Sequence, residues 1–203
     1  MYKVYGDIIS GNCYKIKLLM SLLDIEHEWI EMDLLKGEAR TDEFKSKNPN
    51  AKTPTLELDD GSYLWESNAI LNFLAHGTPF LPNAPLTRAK VLQWQFFEQY
   101  SHEPYIAVAR FIAKYLGMPE DRRDEFNAKQ KGGHKALAVM EQQLRQSTYF
   151  VEDHYSIADI SLYAYTHVAH EGGFDLAHYP EILAWMQRIE AHPKHVTMEQ
   201  FGG

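Results

Sequence analysis

One segment of the chain combines residue types that could bind a small anionic ligand. Lys52–Thr55 places a proline directly before a predicted strand, and Glu66 and Ser67 follow a predicted hairpin. Pro54 has no N–H, so it suits the first residue of a strand or an edge. A cis bond before Pro54 would turn the backbone of Thr53 outward to pair with an extended, peptide-like ligand, although a trans turn is the commoner form.

Ser67 also stands where an apolar helix begins. Ile70, Leu71 and Leu74 recur after it at helical spacing, so the sequence predicts that Ser67 is the N-cap. A helix N-terminus offers N–H groups and a partial positive charge, which together can hold a carboxylate. Capping alone is the simpler interpretation of Ser67, and only its neighbours favour a binding site.

Composition limits the classes to which the protein can belong. The chain has 203 residues, of which 45% are hydrophobic, enough for one large or two small domains. Its net charge of −8 argues against nucleic acid or an anionic membrane as the main partner. No apolar run approaches the roughly 20 residues of a membrane span. A single cysteine favours a reducing, cytoplasmic setting, and the histidines lack metal-ligand spacing, so no metal is expected.

Proline and glycine divide the chain into two predicted domains. Residues 78–86 contain three prolines and are predicted to be a linker. Strand and helix patterns alternate in residues 1–77, in the order β-α-β and then β-β-α. The first three elements imply a parallel strand pair with a right-handed crossover. Residues 87–203 show helical patterns, and Gly132 with Gly133 is expected to interrupt the longest helix.

A second local signal lies in the helical part. Ser156 and Asp159 have the spacing of a capping box before an apolar helix. Asp159 is therefore interpreted as structural, and its loss is expected to destabilise the protein by roughly 1 kcal/mol.

Four sequence pieces occur in a fixed order along the chain. They are Ser10–Asn12 after the first strand, Asn48 and Pro49 before Lys52–Pro54, Glu66–Ile70, and Ser156–Asp159. Together they resemble the glutathione S-transferase family over essentially the full length. The resemblance implies an α/β thioredoxin-like N-terminal domain plus an all-α C-terminal domain, with a cis Pro54 in the glutathione site, and a homodimer.

The resemblance also implies which residues hold glutathione. Thr53 would pair its backbone with the cysteinyl part, and Glu66 with Ser67 would hold the γ-glutamyl end. Lys52 would reach the glycyl carboxylate. Arg40 matches a second basic contact more loosely, and a solvated surface charge is an equal alternative for it.

Glutathione transfer needs the thiol in its thiolate form. A thiol of pKa near 8.5 is only roughly 3% ionised at pH 7. Lowering that pKa by about two units requires about 2.7 kcal/mol, and one hydrogen bond to a charged group supplies roughly 1.5–3 kcal/mol. One well-placed donor is therefore sufficient, without a metal or an acid–base triad.

Three residues of the first loop are candidates to act on the sulfur. Ser10 is the first candidate donor, because it lies where related serine and tyrosine enzymes place their hydroxyl. Asn12 is the rival, since its amide also donates and relatives with a Ser/Thr-x-Asn loop use both. Cys13 is a candidate redox residue that could form a mixed disulfide. It lies three positions beyond the family's usual catalytic cysteine, which favours a buried, inert thiol.

The resemblance assigns the co-substrate pocket to His102, Tyr105, Arg110 and Phe111, although aromatic residues at helical spacing are more often core. The predicted function is conjugation of the glutathione thiolate to small hydrophobic electrophiles. A glutathione-dependent disulfide reductase or deglutathionylase is one alternative, and a non-catalytic binding module is another. Expected partners are glutathione, the electrophile and a second copy of the chain, with no nucleic acid and no membrane.

Overall fold

The chain folds into two compact units. The computed structural model describes residues 1–200, apart from the side chain of Glu199. The first unit contains Met1–His76, and the described residues from Pro193 onward join it. The second unit is Gly77–His192. The sequence pattern assigned the residues after Pro193 to the helical domain. This segment has few apolar residues, and they gave no sign that it joins the first unit.

A four-stranded sheet forms the first unit's framework. Its strands are β1 (Tyr2–Gly6), β2 (His27–Glu31), β3 (Thr55–Glu57) and β4 (Tyr63–Trp65), in the spatial order β2-β1-β3-β4. β1 pairs with β2 in parallel and with β3 antiparallel, and β3 pairs with β4 antiparallel. The predicted β-α-β and β-β-α orders are therefore confirmed.

Three helices accompany the sheet: α1 (Gly11–Leu22), α2 (Asp42–Lys47) and α3 (Ser67–Leu74). α1 packs against α3, and most of the α1 side chains are buried. Because α1 is covered nearly all round, its apolar stripe is wider than that of a surface helix.

Helices form the second unit: α4 (Pro85–Phe97), α5 (Glu103–Arg110), α6 (Arg123–Leu144), α7 (Ile157–Thr166) and α8 (Pro180–Glu190). The thioredoxin-like α/β first unit and the all-helical second unit confirm the predicted fold class. Among the described residues, every helix is too short or too polar to cross a membrane.

The helical path from α4 to α5 continues through Pro104. A π-helical turn at Glu98–His102 leads directly into α5, and a second one, Phe111–Tyr115, follows α5. Pro104 lies in the first turn of α5. Its missing N–H needs no partner at that position, so the helical path continues.

The prediction that Gly132 and Gly133 interrupt a helix is wrong, because α6 runs through both. A Cβ at Gly132 would lie 2.2 Å from the ring of Tyr105, and one at Gly133 would lie 2.2 Å from the ring of Phe174. The two glycines therefore let aromatic side chains approach the helix backbone closely.

Asp159 lies at the centre of the helical unit. Its carboxylate accepts hydrogen bonds from the backbone N–H of Ser156 at 2.9 Å and of Phe150 at 3.0 Å. The indole N–H of Trp185 donates to it at 3.0 Å. The hydroxyl of Ser156 in turn accepts from the N–H of Ala158. The predicted capping box is thus confirmed, and the carboxylate additionally joins the loop before α7 to α8.

Replacement of Asp159 by alanine should lower the free energy of unfolding by about 2–4 kcal/mol, because several buried donors would lose their acceptor. This exceeds the roughly 1 kcal/mol expected from a cap alone. Urea unfolding followed by circular dichroism measures the change. Asp121→Ala, at an exposed site, is the control and should stay within about 0.5 kcal/mol of the wild type.

The Asp159 carboxylate should also make the stability of the protein depend on pH. Burial raises the pKa of Asp159 to about 6, above its value of about 3.9 in an unfolded chain. The stability that this group contributes is therefore complete below about pH 4 and is lost as the pH rises through about 6. The stability of wild type relative to Asp159→Asn should fall over that range, and a constant difference would contradict the assignment.

Candidate functional site

The first loop joins β1 to α1. The backbone N–H of Ser10 donates to the carbonyl of Asp7 at 3.1 Å, and the Asp7 carboxylate accepts from the N–H of Ile9 at 2.9 Å. This turn makes Ser10 the N-cap residue of α1. The Ser10 side chain hydrogen-bonds to the thiol of Cys13 and is 8% exposed. Ser10 thus stands at the edge of the core, one turn from its neighbour Cys13.

Hydrogen bonds hold the side-chain oxygen of Asn12. Its side-chain oxygen Oδ1 accepts from the Nζ of Lys15 at 2.8 Å and from the hydroxyl of Ser67 at 3.1 Å. Lys15 Nζ also lies 3.3 Å from the Ser67 hydroxyl oxygen. We call these three residues the Asn12–Lys15–Ser67 triangle. It joins the first turns of α1 and α3.

The structure corrects the predicted start of α3. Ser67 is the first helical residue, and Glu66 occupies the N-cap position with φ +69°. Few residues other than glycine adopt a positive φ, and such conformations cluster at binding sites. The Ser67 hydroxyl therefore contacts Asn12 instead of capping its own helix. The side chain of Glu66 is exposed and accepts from Asn50 at 3.1 Å.

The segment before β3 is held by Asn48. Its side-chain amide donates to the carbonyl of Lys52 at 2.7 Å and to Thr55 Oγ1 at 3.1 Å. The Thr53–Pro54 peptide bond is cis, as the resemblance implied. The Thr53 side chain hydrogen-bonds to the Cys13 thiol. This segment and the first loop are therefore neighbours.

The two predicted basic contacts lie at the surface. Lys52 precedes the cis bond and is exposed. Arg40 is also exposed, at the end of a short 3-10 helix, Glu38–Arg40. Both side chains are accessible to an anion in solvent. Their exposure is equally consistent with a solvated surface charge.

Cys13 has the environment of an inert thiol. Its side chain is fully buried, and burial raises the pKa of the thiol to about 11. The hydrogen bonds from Thr53 and Ser10 act in the opposite direction but do not offset burial. These observations favour the buried, inert interpretation over the redox one.

The four residues assigned to the electrophile pocket lie in different surroundings. His102 is fully buried with Nε2 2.9 Å from Thr166 Oγ1. Arg110 is 2% exposed and forms an ion pair with Glu171 at 2.6 Å. Tyr105 packs against Gly132. His102 and Arg110 are therefore core residues in this structure, occupied by internal contacts.

Phe111 lies beside a cavity in the second unit. The cavity has a volume of about 290 Å³. It is lined by Gln99, Glu103, Pro104, Ala107, Val108, Phe111 and Tyr165. Of the four predicted residues, Phe111 is the one that lines it. The resemblance had assigned all four residues to the electrophile pocket.

Sequence reasoning missed two residues. Lys15 is fully buried, and its place between Tyr14 and Ile16 was the available signal. Asn48 was recognised only as part of a family motif, and its bonds to Lys52 and Thr55 had no local signature. No cluster of His, Cys, Asp and Glu residues suited to a metal ion occurs in the described part of the chain.

Comparison with known proteins places this geometry in a family. Residues 9–76 match the model of the glutathione S-transferase N-terminal domain, and residues 95–193 match that of the C-terminal domain. The structure is similar to a crystal structure of glutathione S-transferase from Pseudomonas fluorescens Pf-5. The sequences are 65% identical, the TM-score is 0.96, and the match covers 97% of this chain and 98% of that chain. The chain belongs to the glutathione S-transferase family.

Two further relatives have names other than glutathione S-transferase. The chain is 29% identical over 191 residues to the disulfide-bond oxidoreductase YfcG of Escherichia coli K12, covering 91% of this chain and 88% of that protein. It is 28% identical over 236 residues to protein URE2 of Eremothecium gossypii, covering 95% of this chain. This chain spans 66% of the length of that URE2 protein.

Thiol reagents should modify Cys13 slowly in the folded protein. With a pKa of about 11, about one thiol in ten thousand is ionised at pH 7, and burial also blocks access. The rate with an aromatic disulfide reagent should rise at least about 100-fold when urea unfolds the chain. Free glutathione is the control for the reagent, and equal rates in the folded and unfolded protein would contradict this assignment.

Proposed function

We propose that this protein is an enzyme that conjugates the glutathione thiolate to small hydrophobic electrophiles. The observation that carries the proposal is the Asn12–Lys15–Ser67 triangle. It joins the residue proposed to act on the sulfur to the residue proposed to bind the γ-glutamyl end. A single-cysteine chain also suits the reducing cytoplasm that glutathione chemistry requires.

Glutathione would lie along the first unit as an extended peptide. The backbone of Thr53, beside Pro54, would pair with its cysteinyl part. The N–H groups at the start of α3 would hold the γ-glutamyl carboxylate at Ser67, because a helix N-terminus favours an anion. Glu66 would accept from the γ-glutamyl ammonium.

The exposed cations would hold the other end of the ligand. Lys52 directly precedes Thr53 in the chain, so it can approach the glycyl carboxylate of a ligand paired there. Arg40 would be the second cation. Both contacts would form in solvent, where an ion pair contributes at most about 1 kcal/mol, so these residues would tune the affinity and not determine it.

Activation of the sulfur would come from the first loop. The geometry favours Asn12 over Ser10 as the main donor, because two hydrogen bonds already hold the Asn12 oxygen while the Ser10 side chain contacts Cys13. The thiolate sulfur would attack the electrophilic carbon and form an S–C bond. A leaving group would depart with the electron pair of its bond to that carbon.

The cavity beside Phe111 is our proposed electrophile site. Val108, Pro104 and Phe111 give it an apolar lining, which suits a small hydrophobic molecule. His102, Tyr105 and Arg110 would support α5 and the surrounding helices and would not contact the electrophile directly.

Reduction of small disulfides is the second candidate function, and similarity to the oxidoreductase YfcG favours it. The glutathione thiolate would attack one sulfur of the disulfide and release the other as a thiolate. A second glutathione thiolate would then attack the mixed disulfide, yielding glutathione disulfide and the second substrate thiolate. No protein cysteine takes part in these steps, which is consistent with a buried Cys13.

The protein is also proposed to form a homodimer. Leu92, Phe96 and Tyr100 recur every four residues along α4 and the following turn, and they are 38%, 61% and 78% exposed. Exposed apolar patches of this kind mark interaction surfaces. Phe96→Glu should shift the sedimentation of the protein toward the monomer. Leu183→Glu, at an exposed leucine of α8, should leave it unchanged, and a wild type that sediments as a monomer would contradict the proposal.

Replacement of the proposed donors should slow conjugation. With a generic aromatic electrophile, Asn12→Ala should lower kcat/KM by about 10–100-fold, because one hydrogen bond to the thiolate is lost. Ser10→Ala should have a smaller effect. Asn127→Ala, at an exposed position of α6, is the control, and unchanged rates in both loop variants would overturn the proposed role of this loop.

A parallel assay with a small disulfide separates the two candidate functions. If kcat/KM is higher for the disulfide than for the electrophile, reduction is the main activity. Cys13→Ser should retain turnover in both assays. Titration of glutathione into the wild type by calorimetry tests the site itself, since a lack of binding would leave only a non-catalytic module.

A further inference from the structure

Lys15 is a charged residue in the core of the first unit. It lies in α1 between Tyr14 and Ile16, and all three side chains are fully buried. A buried ammonium is costly unless hydrogen-bond acceptors or anions surround it. Catalysis as proposed above assigns Lys15 no task, although it touches two of the residues in the site.

The hydrogen bonds of the Asn12–Lys15–Ser67 triangle have a defined direction. An ammonium only donates, so Lys15 Nζ donates to the oxygen of Asn12 and to the hydroxyl oxygen of Ser67. The Ser67 hydroxyl in turn donates a hydrogen bond to the same Asn12 oxygen. With two donors on that oxygen, the Asn12 amide cannot exchange its oxygen and nitrogen without losing both bonds.

We propose that Lys15 is a positioning residue of the glutathione site. It holds the Asn12 oxygen inward, so that the amide N–H groups face the place of the glutathione sulfur. Its charge also lies in contact with Ser67, at the helix N-terminus proposed to bind the γ-glutamyl carboxylate. This inference rests on the proposed function, and it assigns one buried cation to two anionic groups of the ligand, the thiolate and the γ-glutamyl carboxylate.

The charge matters because Lys15 is buried. A positive charge favours the ionised form of a nearby acid, and the interaction is stronger away from bulk water. Lys15 should therefore lower the pKa of bound glutathione's thiol through two routes. One is the fixed orientation of the Asn12 donor, and the other is the direct field of the ammonium.

Lys15→Met tests the inference, because methionine keeps most of the apolar stem and removes the charge and the donors. Two quantities are measured: the Kd for glutathione by calorimetry, and the pKa of the bound thiol from its thiolate ultraviolet absorbance. The thiol pKa in the variant should rise by about one unit, and the affinity should fall about tenfold. Circular dichroism checks that the variant is folded.

Two further variants make the result specific. Lys36→Met removes one positive charge at an exposed site that pairs with Asp33, so it controls for net charge and should match the wild type. Lys15→Gln removes the charge but keeps a donor, and it serves as the test if Lys15→Met does not fold. Its thiol pKa should also rise.

A purely structural role for Lys15 predicts a different outcome. A folded Lys15→Met or Lys15→Gln with the wild-type thiol pKa and glutathione affinity would overturn the inference while leaving the proposed function intact. If the wild type itself does not bind glutathione, the proposed function fails, and the role of Lys15 fails with it.

Discussion

One buried ammonium connects the residues of the candidate site, because it must be surrounded by hydrogen-bond acceptors. Lys15 has no exposed surface, and its ammonium donates to the oxygen atoms of Asn12 and Ser67. These residues belong to the first turns of α1 and α3, two helices that pack against each other. The position of Asn12 is therefore linked to that of Ser67. A ligand that spans both turns would meet groups already fixed before it arrives, which reduces the ordering cost of binding.

The second unit depends on a different buried charge. The Asp159 carboxylate collects donors from the start of α7, from the preceding loop and from Trp185 of α8. Both units thus place an ionised group in the core and surround it with hydrogen bonds, as buried charges require. One group holds residues proposed to bind the ligand, while the other holds helices together.

Local signals in the sequence predicted much of this structure. The parallel β1–β2 pair, the hairpin after Pro54 and the Ser156–Asp159 box all follow from short-range patterns, and each is present. Pairs of residues far apart in the chain escaped such patterns. Ser67 seemed a helix cap because its contact with Asn12 lies 55 positions away, and Gly132 with Gly133 seemed helix breakers because the aromatic rings that they accommodate are distant in sequence.

We expect glutathione to bind with its sulfur at Asn12 and its γ-glutamyl carboxylate at Ser67. A crystal structure of the complex with glutathione tests it most directly. The sulfur should lie within about 3.5 Å of the Asn12 amide nitrogen, and the carboxylate should accept from the backbone N–H of Ser67. A sulfur bonded to Cys13, or a γ-glutamyl carboxylate away from the start of α3, would contradict it.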